Sequence, residues 1–243
     1  MPDLHLTFPS QWPYGLALVL LFTILSYATK RIDASGAITG GLLTACLLLG
    51  AGIWGLIILG AFFIVGSLAS VWKIHWKQQV GLAEPNKAKR SAIHAFSNGG
   101  IAAICGLLAW MFPGKSALFQ VMLAASMASA MADTLASELG NVYGSRYVNI
   151  LTFRPEPRGL DGVVSGEGTL LGAAGSILIA SIYGLGFGWE VSVIIVALSG
   201  VMGNWVDSVL GATLQRRGYM NNHAVNFANT LFAALFAFLL SSY

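Results

Sequence analysis

Charge is the scarcest ingredient of this 243-residue chain. Only 9% of its residues are Asp, Glu, Lys or Arg, against roughly 25% in soluble globular proteins. Hydrophobic residues make up 56% of it, in long runs split by short polar segments. That pattern excludes a soluble domain and indicates a polytopic membrane protein. Cysteine is almost missing. Cys46 and Cys105 both lie inside apolar runs and read as small packing residues. No Cys/His cluster exists, so soft-metal chemistry is not expected. No Gly-Lys-[Ser/Thr] follows a glycine-rich turn, so any nucleotide site is not a P-loop. No Ser–His or Cys–His pair reads as a nucleophile system. His94 and His223 read as helix-end hydrogen-bonding groups, and His5 and His75 carry no signal. Met1 to Pro13 lacks a basic segment and holds Asp3, Pro2, Pro9 and Pro13, which does not resemble a secretory signal. A net charge of +3 is unremarkable, and no nucleic-acid partner is expected.

The apolar runs predict an all-α fold of about eight transmembrane helices in a single domain, 1–243. The expected spans are Tyr14–Thr29, Gly36–Leu49, Ile53–Trp72, Ser91–Phe112, Ala117–Gly140, Gly168–Phe187, Trp189–Thr213 and His223–Leu240. The second is short and glycine-rich, which suits close packing or a partial span. If the spans alternate, Lys30-Arg31, the 73–90 loop, the 141–165 loop and Arg216-Arg217 all fall on one side. Lys115 alone is left for the other. The positive-inside rule makes the basic side cytoplasmic and puts both termini opposite.

On this topology the intramembrane polar groups gather near the cytoplasmic mouth. Ser97 and Asn98 follow the first polar loop. Ser126, Ser129, Asp133 and Ser137 recur at helical steps and form one stripe. Glu138 lies about 140° round the helix from Asp133 and need not share that stripe. Asn204, Asp207, Gly211 and Gln215 form a second stripe, and Asn222, Asn226 and Asn229 a third. Ser and Asn stripes often serve only as helix–helix glue. Aspartates differ. Asp133 and Asp207 have no lysine or arginine at matching depth, so they must be protonated or metal-bound. Each opens an Asp-[Thr/Ser]-aliphatic triplet. Two carboxylates with Asn and Ser oxygens are ligands that Mg2+ takes, usually with substrate phosphates.

The loops supply opposite charge. Lys87, Lys89 and Arg90 precede the Asn98 helix. Arg146, Arg154 and Arg158 precede Asp161, Ser165 and Glu167 in a segment where acids and glycines interleave. Arginine forks match phosphate oxygens, and clustered glycines let backbone N–H groups approach an anion. Lys73, Lys77, Arg216 and Arg217 need do no more than fix topology and touch anionic headgroups.

Several blocks carry a family resemblance. They are Lys87-x-Lys89-Arg90 with Ser97-Asn98-Gly99-Gly100, then Ala132-Asp133-Thr134-Leu135-Ala136-Ser137-Glu138-Leu139-Gly140. Gly159-Leu160-Asp161-Gly162 through Ser165-Gly166-Glu167-Gly168-Thr169 follows, then Asp207-Ser208-Val209-Leu210-Gly211-Ala212-Thr213-Leu214-Gln215, and Asn221-Asn222 with Asn226. Together they resemble the phytyl-phosphate kinase family of integral membrane proteins, over nearly the whole chain from about Lys30. The resemblance implies a kinase that converts an isoprenoid monophosphate to the diphosphate, as in tocopherol synthesis, with a CTP-like donor. In that setting Mg2+ would be held by Asp133 and Asp207, with Glu138, Asp161 or Glu167. Lys87, Arg90, Arg154 and Arg158 would clamp phosphates. Asn98, Ser165, Asn204, Gln215, Asn222 and Asn226 would line the substrate and nucleotide site. The prenyl tail would lie between helices lined by Gly99, Gly100, Ala124, Ala125, Gly172 and Gly175.

A transporter for a cation or anionic metabolite is the competing class, because transporters also use intramembrane acids. Transport needs polar access from both sides, whereas here one side is nearly uncharged. A lipid phosphotransferase or cytidylyltransferase would use the same acids and arginines.

Overall fold

A computed structural model describes residues 33–82 and 91–241, with scattered positions between 15 and 28. Most of the expected span Tyr14–Thr29, Lys30-Arg31 and the whole 83–90 segment lie outside the described residues. Among the described residues, six helices are long and apolar enough to cross a membrane. They are α1 (Ala34–Val71), α3 (Ala92–Met111), α4 (Ser116–Tyr143), α5 (Gly166–Phe187), α6 (Val191–Leu210) and α7 (Asn222–Ser241). A six-residue helix, α2 (Ile74–Gln79), follows α1, and a two-stranded antiparallel ribbon, β1 (Tyr147–Asn149) with β2 (Val163–Ser165), lies between α4 and α5.

The count of six differs from the expected eight for two reasons. The first span is mostly outside the described residues, and the second and third are fused. At 38 residues α1 would be about 57 Å long if straight, nearly twice the hydrocarbon thickness. It is not straight. Gly52 takes φ 60°, ψ −146°, a backbone geometry open essentially to glycine. A Cβ placed on Gly55 would lie 2.5 Å from the Leu47 carbonyl oxygen, eight residues back, so the chain reverses here. The two ends agree. Ser35 Oγ accepts from the Ala92 N–H at 3.3 Å, and Trp72 Nε1 donates to Tyr143 Oη at 2.7 Å. Gln120 at the opposite end of α4 donates to the Gly50 carbonyl at 2.8 Å. Each half, 34–51 and 53–71, is therefore long enough to cross once, about 27 Å.

α4 is the axle of the bundle. It packs on all five other long helices, and every residue from Gln120 to Ala132 is buried. Its Ala-, Ser- and Met-rich sequence permits this, because small side chains let neighbouring backbones come close where no hydrophobic effect drives association. A helix buried on every side needs no amphipathic stripe.

The segments 72–82, 144–165 and 211–221 meet at one end of the bundle. Arg216 reaches the 144–165 segment from the third, and Arg158 and Gly159 touch Trp76 and Leu82 of the first. The described basic residues of these three segments thus gather at one end. Lys115 and Trp189 sit in the turns at the other end.

The reversal at Gly52 generates the first prediction. Gly52→Ala should destabilise the bundle by about 2 kcal/mol, because alanine pays the full strain of that backbone geometry. Detergent-titrated unfolding followed by circular dichroism measures it. An unchanged midpoint would mean the hairpin tolerates another geometry.

Candidate active site

A cavity of about 660 Å3 opens at the end where the three polar segments meet. Six helices and the β1–β2 segment wall it, α5 through Gly168 and Thr169. α4 contributes Asp133, Thr134, Ser137, Glu138 and Asn141. α6 and its extension contribute Asn204, Asp207, Ser208 and Gln215. α7 contributes Asn222 and Asn226, and α3 contributes His94 and Asn98. The second half of α1 supplies Phe62, Ser67 and Ser70.

The floor is a pair of carboxylates from separate helices. The Asp133 side chain hydrogen-bonds to Asp207. Asn229 Nδ2 donates to Asp207 Oδ1 at 2.6 Å, and Ser129 Oγ donates to Asn229 Oδ1 at 3.0 Å. Asn229 is thereby held as a donor toward the acid. Its amide orientation follows from this pairing. Two carboxylates in hydrogen-bond contact must share a proton or a cation. One step closer to the mouth, Asn226 Nδ2 reaches Asn98 Oδ1 at 3.4 Å, while Asn98 Nδ2 donates to the His94 carbonyl at 3.0 Å. The Ser/Asp stripe on α4 and the Asn stripe on α7 therefore form one hydrogen-bonded wall.

The donor set can be weighed against Mg2+. Among the described residues no three His, Cys, Asp or Glu side chains form a metal-binding group. The Asp133–Asp207 pair with the Asn98 and Asn226 amide oxygens is an all-oxygen set. That suits a hard cation whose remaining positions are filled by water and substrate phosphates.

The roof is the segment between α4 and α5. The Tyr147 hydroxyl donates to the Gly140 and Gly144 carbonyls at 3.0 and 2.9 Å, fixing β1 to the end of α4. Ser165 caps α5, accepting from the Gly168 N–H at 3.0 Å. Gly162 has φ 70° and lies against Ala212, where a Cβ would clash with the backbone. Ala212 belongs to a π-helical turn, Gly211–Gln215, that extends α6 and brings Gln215 to the cavity; such turns often occur at functional sites. Arg216 then clamps the roof. Its Nε donates to the Asp161 carbonyl at 2.7 Å and its guanidinium pairs with Glu156 at 2.6 Å. That pair holds the Glu156 carboxyl below its ordinary range. Partial burial raises the Asp161 carboxyl, against the pull of Arg216.

Of the residues singled out from sequence, Asn98, Asp133, Glu138, Asp161, Ser165, Asn204, Asp207, Gln215, Asn222 and Asn226 all line this cavity. Lys87 and Arg90 lie outside the described residues. Arg154, Arg158 and Glu167 are not on the cavity wall. Arg154 is exposed at the roof's outer edge. Arg158 lies over the Trp76 ring, 4.7 Å from its centroid. Glu167 accepts from the Ser145 N–H and hydroxyl at 3.2 and 2.6 Å, so it ties the first turn of α5 to the end of α4.

Glu138 turns the other way from Asp133. It pairs with Lys77 at 2.7 Å, and Lys77 also donates to the Ala69 carbonyl at 3.0 Å. Lys77 is 2% exposed, so reading it as a topology marker was wrong; it is the buried counter-ion of Glu138 and fastens α2 under the mouth. Arg216 likewise does more than mark topology, since it clamps the roof. Neither pairing has a local sequence signal, since 61 and 60 residues separate the partners. The small residues assigned to a prenyl groove are also otherwise engaged. Ala124 and Ala125 are fully buried, Gly99 packs on Leu43, Gly100 on Phe96, Gly172 on Asn204, and Gly175 on Met131 and Leu135. Sequence reasoning missed Ser67, Ser70, Tyr147 and Thr169 on the wall. Only the two serines, three residues apart at the end of an apolar span, left a signal.

Fold and cavity together define a polytopic helical membrane protein with an acid- and amide-lined chamber at one end. Residues 17–234 match the integral membrane family DUF92, and the chain belongs to that family. It is 28% identical to the chloroplast protein VTE6 of Arabidopsis thaliana, over 96% of this chain and 72% of that one. It is 33% identical to an uncharacterised membrane protein of Synechocystis, over 78% of this chain and 77% of that one. An uncharacterised membrane protein of Methanocaldococcus jannaschii is also 33% identical, over 91% and 92% of the two chains. No solved structure matches.

Lys77→Met should cost about 3 kcal/mol, because it strands a buried carboxylate, and Glu138→Gln added to it should recover most of the loss. A double-mutant cycle of unfolding midpoints tests this, and additive effects would contradict it. The Glu156 carboxyl is lowered on folding, so its link to Arg216 is complete at neutral pH and lost as the pH falls below the ordinary carboxylate range, about 4. Amide exchange in 150–162, corrected for intrinsic rates, should therefore rise at acid pH in the native chain and at pH 7 in Arg216→Gln. Slow exchange in the variant at pH 7 would show that the roof does not depend on this pair.

Proposed function

We propose that this chain is a membrane kinase that transfers a phosphoryl group from a CTP-like nucleoside triphosphate to a prenyl or phytyl monophosphate, giving the diphosphate. The observation that carries it is the Asp133–Asp207 pair at the floor of an amide-rich cavity, where Glu138 is already paired with Lys77. Membership of DUF92 and the likeness to VTE6 support the same reading. The basic end of the bundle is taken as cytoplasmic, where nucleotides are available.

In the reaction an oxygen of the acceptor monophosphate attacks the terminal phosphorus of the donor. The bond from that phosphorus to the bridging oxygen breaks, and the nucleoside diphosphate leaves with the electron pair. The acceptor is a phosphate monoester with a second pKa near 6, largely ionised at neutral pH, so no strong general base is needed. Catalysis then consists of positioning and charge stabilisation. Mg2+, when bound, would neutralise charge on the phosphates, held by Asp133 and Asp207. Asn229 orients Asp207 by its 2.6 Å hydrogen bond. Asn98, Asn222, Asn226 and Gln215 offer amide donors to phosphate or nucleotide oxygens. The roof segment, pinned by Arg216, limits water at the reacting centre.

The transporter alternative fits the distribution of polar groups less well. From Ser116 to Ala132 the central helix carries no acid or base, and Gln120 to Ala132 are buried, so no charged path continues past the carboxylates.

Purified protein given phytyl monophosphate, Mg2+ and each nucleoside triphosphate in turn should form phytyl diphosphate. Asp133→Asn and Asp207→Asn should each lower kcat by a factor of about 100 or more. No turnover with any donor, together with solute counterflow in vesicles, would replace the kinase reading with transport.

A further inference from the structure

The cavity's edge carries two cations with no acidic partner among the described residues. Lys73 Nζ lies 5.0 Å from the Tyr143 ring centroid and Arg158 Cζ lies 4.7 Å from that of Trp76. A ring face attracts a cation but takes up none of its N–H donors in strong hydrogen bonds, so both groups keep donors for a ligand. The rings are themselves fixed. Trp72 Nε1 donates to Tyr143 Oη at 2.7 Å, joining the ends of α1 and α4, and α2, which carries Trp76, is anchored by the buried Lys77–Glu138 pair. Trp72 and Tyr143 are about half exposed, at 51% and 48%, as indole and phenol rings are at a membrane–water boundary.

Position separates this rim from an ordinary interfacial belt. Val71 adjoins Trp72 and precedes Lys73 by two residues, Gly159 adjoins Arg158, and Asn141 precedes Tyr143 by two residues; Val71, Gly159 and Asn141 line the cavity. The apolar face of α1 just below is open to lipid, with Ile64 and Leu68 at 58% and 60% exposure. A molecule with a phosphate at the headgroup level and an apolar tail in the bilayer would meet all of these features at once. The groove expected between helices is filled, so the tail has no place inside the bundle beside those glycines and alanines.

We propose that the Trp72–Lys73–Trp76–Tyr143–Arg158 rim is the docking place of a phosphorylated membrane amphiphile, the lipid acceptor of the proposed reaction, whose phosphate is held by Lys73 and Arg158 while its tail stays in lipid along α1. This rests on the kinase reading for the identity of the acceptor. It accounts for two charged residues that lie off the nucleotide cavity.

The test uses full-length protein in nanodiscs of uncharged phosphatidylcholine. Labelled phytyl monophosphate is bound without nucleotide, and turnover is then measured. Lys73→Gln with Arg158→Gln should raise both the Kd and the KM for phytyl monophosphate about tenfold and leave the nucleotide KM unmoved. Lys73→Arg should keep most of the affinity. Unchanged Kd and KM in the double variant would overturn the rim while leaving the kinase reading intact. If the native chain turns nothing over but binding of phytyl monophosphate still depends on the two cations, the rim stands and the kinase reading falls. A third arm replaces the lipid acceptor with anionic phosphatidylglycerol. If the double variant loses only that binding, the rim serves bulk lipid and the proposal fails.

Discussion

Two carboxylates that touch inside an apolar bundle set the terms for the rest of this molecule. Asp133 and Asp207 come from different helices and share a hydrogen bond. Isolated charge in hydrocarbon is costly, so the surroundings must supply a cation, a proton or donors. The structure meets part of that need with Asn229, itself held by Ser129, and with the amide layer of Asn98 and Asn226 above. The close approach of the helices follows from the same need. Only a central helix as rich in alanine, serine and methionine as α4 can be surrounded by five neighbours and still deliver one acid to a shared floor.

Charge pairing does the second job, that of closing the mouth. The Arg216–Glu156 pair and the Arg216 bond to the Asp161 carbonyl hold the roof against the π-helical end of α6. The Lys77–Glu138 pair holds α2 against the end of α4. The two clamps differ in kind. Arg216 and Glu156 keep roughly a quarter to a third of their side-chain surface, so water screens them and the link is soft. Lys77 and Glu138 are shut in, at 3% and 11% of side-chain surface, and breaking one side leaves an uncompensated charge. A rigid base and a releasable roof would suit the proposed reaction, in which a nucleotide enters and water is then excluded.

Much of this was legible in the chain. Hydropathy gave the helical membrane class, and the spacing of Ser129, Asp133 and Asn226 placed them on facing stripes that do meet. The 140° offset between Asp133 and Glu138 also translated directly: one faces Asp207, the other Lys77. What was not legible is long-range. No periodicity reports that Lys77 pairs with a residue 61 positions on, or that Arg216 reaches back 60 positions to Glu156. Charge type suggested Arg154 and Arg158 for phosphates and Glu167 for a metal, but all three lie off the cavity wall: Arg154 is exposed, Arg158 lies over an indole ring and Glu167 ties down a helix end. The fusion of two spans into one helix depended on a single glycine, Gly52, whose positive φ no propensity scale reveals.

The central claim is that Asp133 and Asp207 hold a divalent cation together with nucleotide phosphates. Electron paramagnetic resonance of Mn2+ added to the purified protein tests it directly. The account predicts tight Mn2+ binding only when a nucleoside triphosphate is present, and its loss in Asp207→Asn. Binding of Mn2+ that ignores both the nucleotide and Asp207 would contradict it.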